Sequence, residues 1–329
     1  MGSAEKVLYD IQFIIITLLD HLQKKNQQDV LLRGDIKLIK DKLYELYSFD
    51  YRFHEKMLDI VDGDIHPRDS RSISAEFRVY QHSLRKAAAL CIDGYNRGIL
   101  SVPSRQNGWL YTGIKNRKKH INNIGGRIYL NCQVESIPQV ISHIIDCMEL
   151  ELKAPMQCAS CRQRAQPYEI LCSRCNKYLP RTYPVVIKFI DSDELPASEM
   201  MEVLRPEKVV LYIFPWPIVL KNILGWLQEI RHLFHAQVPL FTQKMMDGVG
   251  YAPEPTAKQK ERYRSDSGDR KTTSFGNLLC FLIAKVICTW SSEEKRIPTQ
   301  KEILTLSNWV YQEIFLKKYR IEFELGMKE

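Results

Sequence analysis

Three apolar segments of strand length, two of them rich in β-branched residues, carry polar side chains among the apolar ones and predict β-strands. The segments read GGRIYLN (125–131), VVIKFI (185–190) and VVLYIF (209–214). Successive side chains of a strand point to opposite faces. Each segment therefore presents polar groups from a single face: Arg127 and Tyr129, then Lys188, then Tyr212, with Arg205 just before the third strand. The pattern predicts a cationic, phenol-lined sheet surface, which suits a phosphate group.

A spacing of three to four residues between apolar positions predicts helices in much of the remaining chain. We expect helices within residues 4–60, 75–96, 138–152 and 218–235, in the segment that follows Ser274, and within 298–316. Asp35, Ser274 and Thr299 are the expected N-caps, because their side-chain oxygens can accept a hydrogen bond from the first turn.

The stretches between these elements are predicted as loops and turns. They are residues 57–72, the polar stretch 101–123, the compact turn-rich segment 238–255 and the basic loop 258–271. In the compact segment Gly248 and Gly250 are expected to permit positive φ. A short strand is predicted at 319–325.

Together these elements predict an α+β fold, in which a helical N-terminal part precedes a mostly antiparallel sheet flanked by helices. We expect a helical region at 1–120 and an α+β domain at 121–329, with an insertion at 155–181. A chain of 329 residues is long enough for such an arrangement to bury a sizeable core.

The chain carries 47 Lys and Arg against 39 Asp and Glu, a formal charge of +8. The excess gathers in 115–120 and 258–271, which we interpret as solvated loops, or alternatively as a surface for an anionic partner. No signal peptide or membrane span is predicted, so we expect a cytoplasmic protein without a membrane partner.

Four of the nine cysteines form two CxxC pairs separated by ten residues. They are Cys158 and Cys161, then Cys172 and Cys175. Four thiolates complete the closed tetrahedron that structural Zn²⁺ prefers, so we predict a zinc ribbon with a structural metal. The alternative is four unrelated reduced cysteines, which does not explain the paired spacing.

The ribbon also carries basic residues, which leave its role open. These are Arg162, Arg164, Arg174, Lys177 and Arg181. These residues could bind nucleic acid or a protein partner. Alternatively, the metal only stabilises a short insertion whose own core is too small to fold. We favour the stabilising role or a protein contact over nucleic acid.

Several motifs resemble the HopA family of type III effectors and their relatives in lanthipeptide-like and thioamide peptide maturation clusters. The resemblance covers roughly residues 120–290, with a weaker match in LYELYSFDYRFH (43–54). It rests on the three strand segments, on VPLFTQKMMDGVGYAPEP and on SFGNLLCFLIA. The CxxC pairs are not part of the pattern.

The peptide-cluster members are in turn similar to phosphothreonine lyases, and this likeness implies an activity. A partner kinase phosphorylates Ser or Thr of a peptide or protein, and the lyase then eliminates the phosphate to leave a dehydroamino acid. By this resemblance Lys188 is the base, Arg127 and Arg205 bind the phosphate, Tyr212 is a phenol on the phosphate side, and Tyr129 takes the position of the acid.

The sequence departs from the lyases at two places. Tyr129 stands where they carry a histidine, and Gly276 stands where they carry an arginine. Relatives often have an arginine near Leu278 and Leu279, and Arg270 or Lys271 could replace it. Two further hypotheses therefore stay open: a non-catalytic effector or interaction module that binds a host protein, a kinase or a precursor peptide, and a zinc-ribbon nucleic-acid binder.

Overall fold

The computed structural model describes residues 3–48, 71–106, 108–114, 124–179, 181, 183–193, 205–268, 274–317 and 319. Its α-helices are α1 (Ser3–Lys24), α2 (Asp29–Leu32), α3 (Ile36–Ser48), α4 (Arg71–Asn96), α5 (Ile137–Lys153), α6 (Pro217–Glu229), α7 (Ala257–Ser267), α8 (Phe275–Glu294) and α9 (Gln300–Phe315). Short 3₁₀ turns lie at Val134–Ser136 and Arg231–Leu233.

The strands form a seven-stranded antiparallel sheet and a separate two-stranded ribbon. They are β1 (Ser104–Gln106), β2 (Trp109–Gly113), β3 (Gly126–Leu130), β4 (Met156–Gln157), β5 (Arg164–Ala165), β6 (Val186–Ile190), β7 (Val209–Ile213), β8 (Gln243–Met246) and β9 (Val249–Pro253). The order across the large sheet is β1-β2-β6-β7-β3-β9-β8, and β4 pairs with β5.

Helices cover both faces of the large sheet, and each layer encloses its own apolar core. On one face the alternate residues Ile128, Ile187 and Leu211 pack with α4, α5 and α6. On the other face Tyr129 and Val210 pack with α1, α3, α8 and α9. The predicted α+β class, with its helical N-terminal part and mostly antiparallel sheet, is confirmed.

Two predicted loop regions in fact contain strands. The expected surface loop 101–123 contains β1 and β2, and β2 pairs with β6 next to the centre of the sheet. The segment 238–255 contains the β8–β9 hairpin, and β9 pairs with β3. Because β2 comes from the first 120 residues, both predicted regions of the chain contribute strands to one sheet.

The two glycines of the hairpin serve different purposes. Gly248 has φ +66°, as expected for a turn that an L-residue rarely adopts. Gly250 does not take positive φ, so that expectation was wrong. A Cβ there would lie 2.3 Å from Thr242 Oγ1. The position requires glycine because the backbone passes close to a buried side chain.

The predicted basic loop 258–271 is largely helix α7. Thr256 and Gln259 form a capping box at its start, and Gly268 ends it with φ +68°. Tyr263 is buried on its inner side and packs edge-to-face on Phe281. Tyr263 is the one buried apolar residue among charged ones, so the segment lacks the repeated apolar positions that predict a helix.

The predicted N-caps are confirmed at the residues that the structure describes. Asp35 Oδ1 accepts from Leu38 N–H at 3.0 Å, Ser274 accepts from Asn277 N–H at 3.2 Å, and Thr299 forms a capping box with Glu302. The predicted loop up to residue 70, the basic run 115–120 and the C-terminal strand beyond Tyr319 lie outside the described residues.

Among the described residues, α8 is long and apolar enough to cross a membrane by length and composition. Its most apolar window is 72% buried inside the protein. This burial is typical of the central helix of a helical layer.

Candidate functional site

The five residues predicted from the strand pattern meet on the sheet face covered by α3 and α8. Lys188 on β6 lies opposite Val210 on β7, and Val210 lies opposite Tyr129 on β3. In the next row Tyr212 on β7 lies opposite Arg127 on β3. These groups, together with Arg205, line one small cleft. Val210 forms its floor because it is the short side chain between longer ones.

Aromatic rings from β2 hold the cations at one end of the cleft. Lys188 Nζ lies 3.6 Å from the ring centroid of Trp109 and 5.6 Å from that of Tyr111. The guanidinium carbon of Arg205 lies 5.6 Å from the Trp109 centroid. An indole face attracts cations through its quadrupole, so Trp109 holds both Lys188 and Arg205 at this end of the cleft.

Carboxylates accompany both arginines. Arg127 Nε donates to Glu254 Oε2 at 2.6 Å, and Arg205 Nη1 lies 3.6 Å from Glu207 Oε1. Burial opposes the charge of Arg127, but Tyr212 and Glu254 outweigh it and raise the Arg127 pKa well above its usual value. Burial likewise opposes the charge of Glu254, yet Arg127 and Lys260 hold its pKa below the usual value. Both groups are therefore charged near neutral pH.

The phenols of the cleft are protonated. Burial raises the pKa of Tyr129, Tyr212, Tyr44 and Tyr47. A phenol of this kind donates a hydrogen bond readily but releases its proton reluctantly. Tyr129 is suited to hydrogen-bond a leaving oxygen.

The cleft itself is narrow, with a volume of about 30 Å³. Its walls are completed by Trp109, Glu207 and Ser274, and by Tyr44 and Tyr47 of α3. Both tyrosines belong to the weakly matching segment 43–54.

Tyr47 explains why residue 276 is glycine. A Cβ on Gly276 would lie 2.6 to 2.8 Å from ring and hydroxyl atoms of Tyr47. That ring stacks on Phe241 at 5.4 Å between centroids. The space beside Gly276 is therefore filled, and Leu278 and Leu279 are buried in the core. Arg270 and Lys271, expected as replacements, lie outside the described residues.

Sequence reasoning missed several residues of the site besides Tyr44, Tyr47, Val210 and Ser274. Trp109 and Glu207 line the cleft, Tyr111 lies beside Lys188, and Glu254 binds Arg127. The signal for Trp109 and Tyr111 was their alternation in WLYTG, which the surrounding Asn and Gly residues obscured. Glu254 lies in the motif APEP, and its two prolines indicated a turn and not a residue of the site.

The four predicted metal ligands cluster in the ribbon. The sulfur atoms of Cys158, Cys161, Cys172 and Cys175 all lie within 4.8 Å of one another, and none is in a disulfide. The residues after each pair, Arg162 and Asn176, take φ of +58° and +55°. The two turns thus repeat one backbone geometry, which directs both pairs of thiols to a common point.

Backbone N–H groups at these turns favour the thiolate form. Donors at Cys161 and Ser160 lower the pKa of Cys158 to about 6. The equivalent donors at Cys175 and Arg174 lower the pKa of Cys172. Four converging sulfurs, two of them poised as thiolates, are compatible with a bound metal ion.

Arg181 fixes the ribbon to the rest of the molecule. It was wrongly predicted to be one of the basic residues with which the ribbon could contact nucleic acid or a partner. It is fully buried. Its guanidinium donates to the carbonyl oxygens of Glu169, Glu151, Ala154 and Gln166 at 2.5 to 3.2 Å. Two of these carbonyls belong to the end of α5, so the side chain joins α5 to the ribbon. The other basic residues, Arg162, Arg164, Arg174 and Lys177, are exposed.

No family model matches the chain. No curated protein matches it in sequence. A solved structure of an effector protein from Pseudomonas syringae pv. syringae strain 61 is 11% identical, with a TM-score of 0.45, over 92% of each chain. An effector protein from Pseudomonas syringae pv. tomato strain DC3000 is 12% identical, with a TM-score of 0.36, over 72% of this chain and 78% of that one.

Proposed function

We propose that this chain is a carbon–oxygen lyase that eliminates phosphate from a phosphoserine or phosphothreonine of a peptide or protein. The observation that supports it is the convergence of Lys188, Arg127 and Arg205 on one cleft with Tyr129 and Tyr212. These groups come from separate strands and a loop. These three cations outnumber the accompanying carboxylates Glu207 and Glu254, so the cleft suits an anionic group better than a neutral substrate.

In the proposed reaction the neutral amine of Lys188 removes the α-proton of the substrate residue. The electron pair of that C–H bond forms the new double bond, and the bond between Cβ and the phosphate oxygen breaks. Arg127 and Arg205 bind the phosphate and stabilise its growing charge. Tyr129 donates a hydrogen bond to the leaving oxygen. The products are a dehydroamino acid and inorganic phosphate.

Lys188 must lose its proton before it can act as the base. An ordinary lysine amine has a pKa of about 10.4, so little of it is neutral at pH 7. Elimination is therefore expected to become faster as the pH rises from neutral.

The test is mass spectrometry of a phosphothreonine peptide, which loses the elements of phosphoric acid on elimination. Lys188→Ala is expected to slow elimination by about 100-fold or more while peptide binding persists, because the amine acts on the α-proton. Arg205→Ala is expected to weaken binding as well, since its contact exists in the ground state. Lys221→Ala, an exposed lysine on the opposite helical layer, is the matched control.

Wild-type protein that binds the phosphopeptide but never eliminates phosphate would support the second candidate, a non-catalytic module that binds a host protein, a kinase or a precursor peptide. Two observations favour it. The cleft is narrow, and the ring of Tyr47 fills the space beside Gly276, where the lyases carry an arginine. If elimination survives in Lys188→Ala, the lyase proposal stands and another group is the base.

We further propose that Cys158, Cys161, Cys172 and Cys175 hold one structural Zn²⁺. With four protein ligands the metal has no open position for substrate. It would supply the folding energy of a ribbon whose own apolar cluster is small. A Ser/Thr kinase in the cytoplasm would supply the phosphorylated substrate.

A further inference from the structure

Glu254 is held rigidly beside Arg127 by the end of strand β9. Arg127 pairs with Ala252 in the antiparallel ladder, so the residue two places further on returns to the same face, diagonally across from Arg127. Its backbone N–H donates to Gly125 O at 3.0 Å. Pro253 and Pro255 on either side restrict the backbone further.

Both oxygens of the Glu254 carboxylate are engaged. Oε2 accepts from Arg127 Nε at 2.6 Å, and Oε1 accepts from Lys260 Nζ at 2.7 Å. The side chain is only 8% exposed. Lys260 reaches it from the first turn of α7, which the capping box of Thr256 and Gln259 fixes in place.

This arrangement uses only one nitrogen of the Arg127 guanidinium. Within the part of the chain that the structure describes, Nη1 and Nη2 have no hydrogen-bond acceptor, and one face of the group lies 4.6 Å from the centroid of Tyr212. The edge that carries Nη1 and Nη2 matches two oxygens of a phosphate. Lys260 offsets part of the Glu254 charge, so that the trio keeps a net positive charge.

We propose that Glu254 is a positioning residue for phosphate recognition, which holds Arg127 by Nε so that both terminal nitrogens face the substrate phosphate. This inference rests on the proposed function, because it assigns Arg127 to the phosphate. Glu254 itself touches no substrate. Lys260 supports it from α7 and so connects the basic helix to the site.

The experiment compares Glu254→Ala and Glu254→Gln with wild-type protein, by calorimetric titration with inorganic phosphate and with a phosphothreonine peptide. Glu254→Gln keeps an oxygen that can accept from Nε and is expected to bind as tightly as wild type or slightly more tightly. Glu254→Ala leaves the guanidinium unoriented and is expected to bind about 10- to 100-fold more weakly, the range of a lost hydrogen bond to a charged group.

Two further variants control for structure. Glu149→Ala removes a carboxylate that pairs with Arg97 and Lys153 in the opposite helical layer, and it is expected to leave binding unchanged. If Glu254→Ala does not fold, Glu254→Met preserves the volume without an acceptor and is expected to give the same loss.

Each outcome is decisive. Unchanged or tighter binding in Glu254→Ala or Glu254→Met would show that Glu254 only competes with phosphate, and would overturn the inference while leaving the lyase proposal intact. The expected order of affinities without any elimination would overturn the lyase proposal and leave the inference standing. Wild-type protein that binds neither probe would overturn both.

Discussion

At the scale of single residues, Gly276 and Tyr47 form a contact that sets the size of the cleft. Tyr47 is nearly fully buried between Phe241 and the start of α8, and it lines the cleft with its neighbour Tyr44. The ring can occupy this place only because residue 276 has no side chain. The contact therefore couples the packing of α3 on α8 to the space available for a ligand.

Gly276→Ala is expected to destabilise the protein by about 1–3 kcal/mol, because the new methyl group overlaps a ring that stacking holds in place. Gly225 on α6 is the matched control, since a Cβ there meets nothing within 4 Å. Gly225→Ala is expected to stabilise by about 0.5–1 kcal/mol through helix propensity. Urea denaturation of both variants measures the difference, and equal effects would contradict this account of the cleft.

The two-residue period predicts only which residues of one strand share a face, such as Arg127 and Tyr129 on β3. The pairing of β3, β7 and β6 brings Tyr212 and Lys188 to that same face. The period could not predict their partners. Trp109 and Glu254 approach from β2 and from the end of β9, and which strands become neighbours depends on the order of the sheet.

At the scale of elements, the most local features were predicted best. Caps and helix periodicity depend on residues close in sequence, so α3, α5, α8 and α9 agree with expectation. Strands β8 and β9 were missed because Gly248, Gly250 and the prolines at 253 and 255 favour turns in isolation. Pairing with β3 in the sheet outweighs this local preference.

The ribbon is the element whose stability is expected to depend on a metal. Protein prepared without chelator should contain about one zinc per chain. Cys158→Ser should lose the metal and much of the ribbon's stability, whereas Cys91→Ser, a buried thiol in the main core, should keep the metal. Elemental analysis and thermal unfolding test both variants, and metal-free wild-type protein would contradict the proposed site.

At the scale of the whole molecule, the surplus of positive charge does not form one continuous basic surface in the described residues. The cleft encloses Arg127, Arg205 and Lys188. The guanidinium of Arg181 donates its hydrogen bonds to backbone carbonyls. The exposed basic residues of the ribbon and of α7 are not interleaved with exposed aromatic rings as a single-strand binding surface requires. Within the described residues, this distribution gives no support to the nucleic-acid hypothesis.

Replacement of Arg162, Arg164 and Arg174 by alanine is therefore expected to change nucleic-acid affinity by less than about threefold, and the affinity itself is expected to be weak at physiological salt. Titration of labelled single- and double-stranded oligonucleotides over a range of salt concentrations measures both quantities. A tight complex that depends on these three arginines would reverse the ranking of the hypotheses.

The order of strands in the sheet also has a consequence for biosynthesis. Strand β3 lies between β7 and β9, both of which are translated long after it. A nascent chain that has emerged only as far as β6 therefore exposes β3 and β6 without their shared neighbour, and unpaired strand edges are prone to association. The cleft cannot assemble until the ribosome has passed Ser274, so premature termination before that codon would yield an aggregation-prone fragment without a complete cleft.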